Sequence, residues 1–182
     1  MSKVYVFLAD GCEEIEALTP VDLLRRAGIE VCTVSIMGRK EICSSHKIRF
    51  MADCLFEEAD FEDGDAYVMP GGMPGSEHLA GYAPLIKLIE EKSKQGRQIA
   101  AICAAPALVL GEHGFLKDKK AICYPGMEDR LNCRETVREA VVTDGNITTS
   151  RGMGTAIAFG LELIRILQDE TAAKSMAEKI VY

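Results

Sequence analysis

The 182 residues carry 21 lysines and arginines against 28 aspartates and glutamates, a formal net charge of −7, with 48% hydrophobic and 27% charged residues. This balance suits one globular domain over residues 1–182 and lacks the basic face that a nucleic-acid groove needs. The longest early apolar run, residues 4–9, is too short for a signal peptide or a membrane span, so a cytoplasmic protein is expected.

Short apolar runs alternate with helical stretches. Residues 4–9 read as a buried strand. Residues 14–27 read as a helix with Ile15, Leu18, Val21, Leu24 and Ala27 near one face and Gly28 just past its end. A β-branched run makes 29–36 a second strand. The segment 42–60 reads as short edge strands and turns. Strand 66–69 is closed by Pro70-Gly71-Gly72. Residues 85–95 form a helix, 98–102 a strand and 104–113 the next helix. Short strands follow near 120–123, 139–143 and 146–149, the last two joined by Asp144-Gly145, a hairpin signal. Helices over 155–167 and 171–180 complete the chain. Alternation of this kind implies an α/β fold, a mostly parallel sheet between helical layers.

Seven cysteines stand at 12, 32, 43, 54, 103, 123 and 133, with no CxxC pair. That spacing supports neither a zinc site nor a thioredoxin-type motif, so no metal is expected and the thiols read as reduced, mostly buried hydrophobes. Cys103 differs. The strand Ile99-Ala100-Ala101-Ile102 runs into the helix at Ala104-Ala105-Pro106 with no loop between, and Cys103 occupies the junction. Small residues permit a sharp turn, and proline suits a first helical turn because it has no amide to satisfy. The junction lies at the carboxyl end of a parallel strand, where α/β folds bind ligands. Helix amides aimed at the sulfur are expected to lower its pKa, in the manner of a nucleophile elbow.

Two other strand ends carry candidate groups. Gly71 and Gly72 can turn backbone amides toward a substrate oxygen, forming an oxyanion site with the Ala104 amide. Glu14 and Glu16 open the first helix two residues apart and so point in different directions. Glu16 is singled out, although the residues alone do not choose it over Glu14. A carboxyl buried beside Cys103 would be raised in pKa, remain protonated and hydrogen-bond the sulfur. Of the three histidines, His113 is expected to cap its own helix far from the thiol, and nothing places His46 or His78 near it. A Cys-His dyad is unsupported.

The motifs Ala9-Asp10-Gly11-Cys12-Glu13-Glu14-Ile15-Glu16, Pro20-Val21-Asp22 through Arg25-Arg26-Ala27-Gly28, Pro70-Gly71-Gly72, Ala100 to Pro106, and Thr149 to Thr155 occur in this order. Together they resemble the ThiJ/PfpI superfamily in its DJ-one-like branch, over nearly the whole chain. The resemblance implies a flavodoxin-like three-layer sandwich and a homodimer; no cofactor is expected. It identifies Glu16 as the protonated partner of a nucleophilic Cys103 and the Gly71-Gly72 turn as part of the oxyanion site. It makes Arg26 and Arg151 candidates for bracing the pocket near the dimer contact. Ala104 stands where the peptidase branch carries histidine, and Tyr124 stands where a relative places one near its cysteine. Cys43 matches a family cysteine near the dimer contact, whereas Met51 replaces another.

The branch is associated with glyoxalase, deglycase, chaperone and oxidative-stress functions. The reading is a cysteine-dependent enzyme on small dicarbonyls such as methylglyoxal, because aldehyde addition needs no histidine to protonate a leaving amine. The alternative is a redox-sensing or chaperone-like protein whose Cys103 is oxidised to sulfinate. A cysteine peptidase, the third reading, lacks a visible base.

Overall fold

Strands buried on both faces set the architecture, and their side chains sort by parity. In β1 (Lys3–Leu8), Val4, Val6 and Leu8 enter one core, while Tyr5 and Phe7 enter the other. The same division holds in β6 (Ala66–Met69) and β7 (Gln98–Ile102): Ala66, Val68, Ala100 and Ile102 face one way, and Tyr67, Met69, Ile99 and Ala101 the other. A period of two on a doubly covered sheet produces this result. Burying each large aliphatic side chain contributes roughly 1.5–3 kcal/mol. The computed structural model describes residues 2–182.

The remaining strands are β2 (Glu30–Ser35), β3 (Glu41–Cys43), β4 (Arg49–Met51), β5 (Cys54–Leu55), β8 (Lys120–Ala121), β9 (Glu135–Thr136), β10 (Val141–Asp144) and β11 (Ile147–Ser150). The main sheet runs β10-β11-β7-β6-β1-β2-β5. All its pairings are parallel except the β10–β11 hairpin. β3 and β4 form a separate antiparallel pair, and β8 and β9 another small sheet. The ambiguous 42–60 segment thus resolves into short strands.

Helices α1 (Glu14–Arg26), α4 (Ala156–Leu167) and α5 (Glu170–Lys179) pack on one face. Helices α2 (Gly75–Gly81) and α3 (Ala83–Lys94) and a π-helix over Pro106–Gly111 cover the other. This is the flavodoxin-like sandwich. Two local expectations need correction. Residues 104–113 do not form a regular α-helix: Leu108 N–H bonds Ala104 O at 3.0 Å, but Glu112 N–H reaches back five residues to Ala107 O, also at 3.0 Å. In α1, Ala17, Pro20, Leu23 and Leu24 are buried, whereas Ile15 and Leu18 are 46% and 38% exposed. The buried stripe is therefore rotated from the predicted one, because α1 lies against α4 as well as the sheet. The segment 75–81, to which the sequence assigned no element, is helical.

Candidate active site

Four adjacent strands, β1, β6, β7 and β11, end at one edge of the sheet and deliver the candidate residues there. After β7 comes Cys103, with φ at 67°. A non-glycine residue held there costs about 1–3 kcal/mol, and the surrounding bonds impose it. Cys103 N–H donates to Ser150 O at 3.0 Å, and Cys103 O accepts from Tyr124 N–H at 2.8 Å. The elbow aims a half-buried sulfur at the cleft, where the amides of Gly72 and Ala104 donate to it.

After β1, Glu13 caps α1, its carboxylate accepting from Glu16 N–H at 2.7 Å. Helix geometry then separates the next two acids. Glu14 turns to His46, whose Nδ1 lies 3.0 Å from Glu14 Oε1. Glu16 turns inward, is 1% exposed and shares a hydrogen bond with Cys103. Its Oε2 accepts from Gly71 N–H at 3.0 Å, and it also accepts from the Met153 amide after β11. The geometry thus distinguishes Glu16 from Glu14.

The expected oxyanion site needs a correction. Gly71 N–H is committed to Glu16, so the two amides directed at the sulfur are those of Gly72 and Ala104. Gly71 is required by space: an added Cβ would strike Glu16 Oε2 and stand 2.5 Å from Cys103 Cβ. Gly72 is required by conformation as well, with φ at 92°.

The charge state also differs from expectation. Burial pushes Glu16 up to about 7, the neighbouring Glu13 charge adding to the effect against the hydrogen bonds it accepts. Burial, then the Glu16 charge and hydrogen bond, push Cys103 up to about 12, outweighing the amides of Gly72 and Ala104. The thiol pKa is therefore raised, not lowered. A small buried site resists two negative charges a hydrogen bond apart, so the pair retains a proton through neutrality. Near neutrality the two groups share one proton along their hydrogen bond.

The cleft over Cys103 holds about 480 Å³ and is lined by Glu13, Glu16, His46, Tyr124, Pro125, and Arg151 through Thr155. Arg151 and Tyr124 are among these residues. Arg26 is not: it pairs with Asp22 at 2.6 Å and lines a separate groove with Leu18, Ile157 and Ile180. His46 and Met153 were missed. No local signal marks His46, which arrives on the loop between β3 and β4. His113 does not cap its own helix but bonds Ala80 O at 3.1 Å, at the end of α2. Among the described residues, Glu13, Glu14 and His46 bring ligand-type atoms within 4.8 Å of one another, an arrangement that the His46–Glu14 pair accounts for.

A flavodoxin-like α/β sandwich with a cysteine on a strained strand-to-helix elbow and a buried carboxyl against its sulfur defines the class of protein. The chain belongs to the DJ-1/PfpI family, which it matches over residues 2–166. It is 35% identical to protein dj-1beta of Drosophila melanogaster, covering all of this chain and 98% of that one. It is 37% identical to protein DJ-1 homolog B of Arabidopsis thaliana over 89% of this chain, but spans only 37% of that relative's length. A protein named deglycase from Pyrococcus abyssi is 29% identical over 91% of this chain and 99% of its own. Among solved structures, oxidized Toxoplasma gondii DJ-1 superposes with a TM-score of 0.97 at 38% identity, covering 100% of this chain and 99% of that one.

Proposed function

We propose that the chain is a cysteine-dependent enzyme of glyoxalase or deglycase type, acting on small reactive dicarbonyls such as methylglyoxal. The observation that carries this reading is the hydrogen-bonded Cys103–Glu16 pair, with Glu16 raised to about 7. A carboxyl titrating near neutrality both accepts and returns protons.

As the Cys103 sulfur attacks the aldehyde carbon, its proton passes to Glu16, which returns it to the developing alkoxide. The product is a hemithioacetal, its oxygen near the amides of Gly72 and Ala104. The Glu16 carboxylate then takes the proton from the former aldehyde carbon and gives it to the ketone oxygen, forming an enediol, and next moves the proton of the first hydroxyl to the adjacent carbon. This leaves a thioester of lactate on Cys103. Water cleaves the thioester, restoring the thiol and releasing lactate. The balance is methylglyoxal plus water to lactate, with no external oxidant or reductant. The name of the Pyrococcus abyssi relative supports a deglycase-type reading, in which the same adduct forms on a glycated group. A cleft of about 480 Å³ has room for such a larger substrate. The reading includes a cytoplasmic location and a homodimer. The exposed Leu18 and Ile157, which share one groove with Arg26, support a contact between chains.

Intact-mass analysis after rapid quenching with methylglyoxal tests the first step. One methylglyoxal mass on Cys103 is expected with the parent, and a slower gain of it with Glu16→Gln, which cannot accept the thiol proton. Adducts confined to other side chains contradict the scheme. A second reading, a sensor oxidised at Cys103, is favoured by the oxidized state of the Toxoplasma gondii neighbour. A protonated Glu16 can donate to a sulfinate oxygen.

A further inference from the structure

A second pair of sulfurs lies outside the Cys103 cleft. Cys32 on β2 and Cys54 on β5 bring their Sγ atoms to 3.3 Å. The register pairs Val34 with Cys54, and Cys32, two residues before Val34, shares its face of the sheet. Both thiols are free and half-buried.

Their flanking residues hold them together. Asp53 Oδ2 accepts from Thr33 N–H and Thr33 Oγ1, each at 2.8 Å, and from Arg25 Nη2 at 2.7 Å. Asp53 N–H donates to Thr33 O at 2.9 Å. The residue before Cys54 is thus locked to the residue after Cys32. β5 is a two-residue edge strand, free on its outer side to close the last part of the S–S gap.

We infer that Cys32 and Cys54 form a reversible intrachain disulfide, a redox site separate from Cys103. The oxidant class is a hydroperoxide. Cys54, as thiolate, attacks the terminal peroxide oxygen; the O–O bond breaks and a sulfenic acid forms. Cys32 then attacks the Cys54 sulfur; the S–S bond forms, the S–O bond breaks, and the Cys32 proton leaves with the hydroxide as water. Two thiols and one hydrogen peroxide give one disulfide and two waters. Burial and the adjacent Cys54 push the Cys32 thiol up to about 12, and the same two steps run equally with the thiols exchanged. The bond joins the two ends of the segment that carries His46 to the Cys103 cleft, so it tethers one wall of that cleft.

The test is hydrogen peroxide treatment of the full chain, alkylation of remaining thiols, and peptide mapping without reductant. A cross-linked pair of peptides containing Cys32 and Cys54 is expected, lighter by two hydrogens and separated by dithiothreitol. Cys103→Ser should form it to the same extent, and Cys32→Ser and Cys54→Ser should not. Parent protein in which these thiols remain alkylatable after Cys103 is oxidised, or proceed separately to sulfinate, overturns the inference. A linkage requiring Cys103 also overturns it.

Discussion

At the residue scale, Glu16 meets opposing demands. Its carboxyl is buried where ionisation is costly, and its folded pKa of about 7 lies above the ordinary 4.5. A raised carboxyl favours the folded state while protonated, so stability is greatest below about 4.5 and falls as pH rises toward 7. Glu16→Gln, which cannot ionise, should therefore match the parent near pH 4 and exceed it at pH 8 by about 3 kcal/mol. Urea unfolding at both pH values measures this, and an unchanged gap between them would show that Glu16 does not titrate as described. The same proton governs rate. The reactive pair carries one proton, so kcat/KM for a dicarbonyl should rise through an apparent pKa near 7. That acid limb should disappear in Glu16→Gln along with about 10²–10⁴-fold in rate. A parent profile flat from pH 5 to 9 would remove Glu16 from the proton transfer.

At the scale of elements, strand ends place the site and helix packing tunes it. The strand-to-helix junction at Cys103 and the glycine turn after β6 were legible because abrupt periodicity changes and glycine leave marks in a sequence. The π-helical turn after Cys103 was not, since its residues are as apolar as those of a buried α-helix. Nor was the depth of burial that overrides the amides at the sulfur, which depends on four strands converging. His46 and Met153 come from loops distant in sequence, and Arg26 carries no mark separating an intrahelical ion pair from a pocket wall. The α1–α4 contact also depends on an absence: a Cβ at Gly160 would stand 2.6 Å from Leu23 Cδ1. Gly160→Val should force the helices apart at a cost of about 1–3 kcal/mol. Because α1 carries Glu16, it should also slow turnover more than an equally destabilising change in α5. Denaturant midpoints and initial rates test both parts, and an unchanged midpoint would mean that the helices accommodate the branch.

At the scale of the molecule, the four-strand edge forms an open cleft, and the exposed apolar residues of α1 and α4 lie beside it in sequence and fold. Light scattering at micromolar concentration should give twice the chain mass, and Leu18→Glu should shift it toward a monomer. A monomer mass for the parent would contradict that assembly. None of the described helices is long and apolar enough to cross a membrane. The central claim is that Cys103 and Glu16 act as one catalytic unit on a dicarbonyl. Its most direct test follows lactate itself during incubation with methylglyoxal in the absence of added thiols, because loss of methylglyoxal also reports simple scavenging. The account predicts many equivalents of lactate per chain with the parent, a sharply reduced rate with Glu16→Gln, and none above background with Cys103→Ala. Lactate that never exceeds one equivalent per chain, or that forms equally fast with Cys103→Ala, would contradict it.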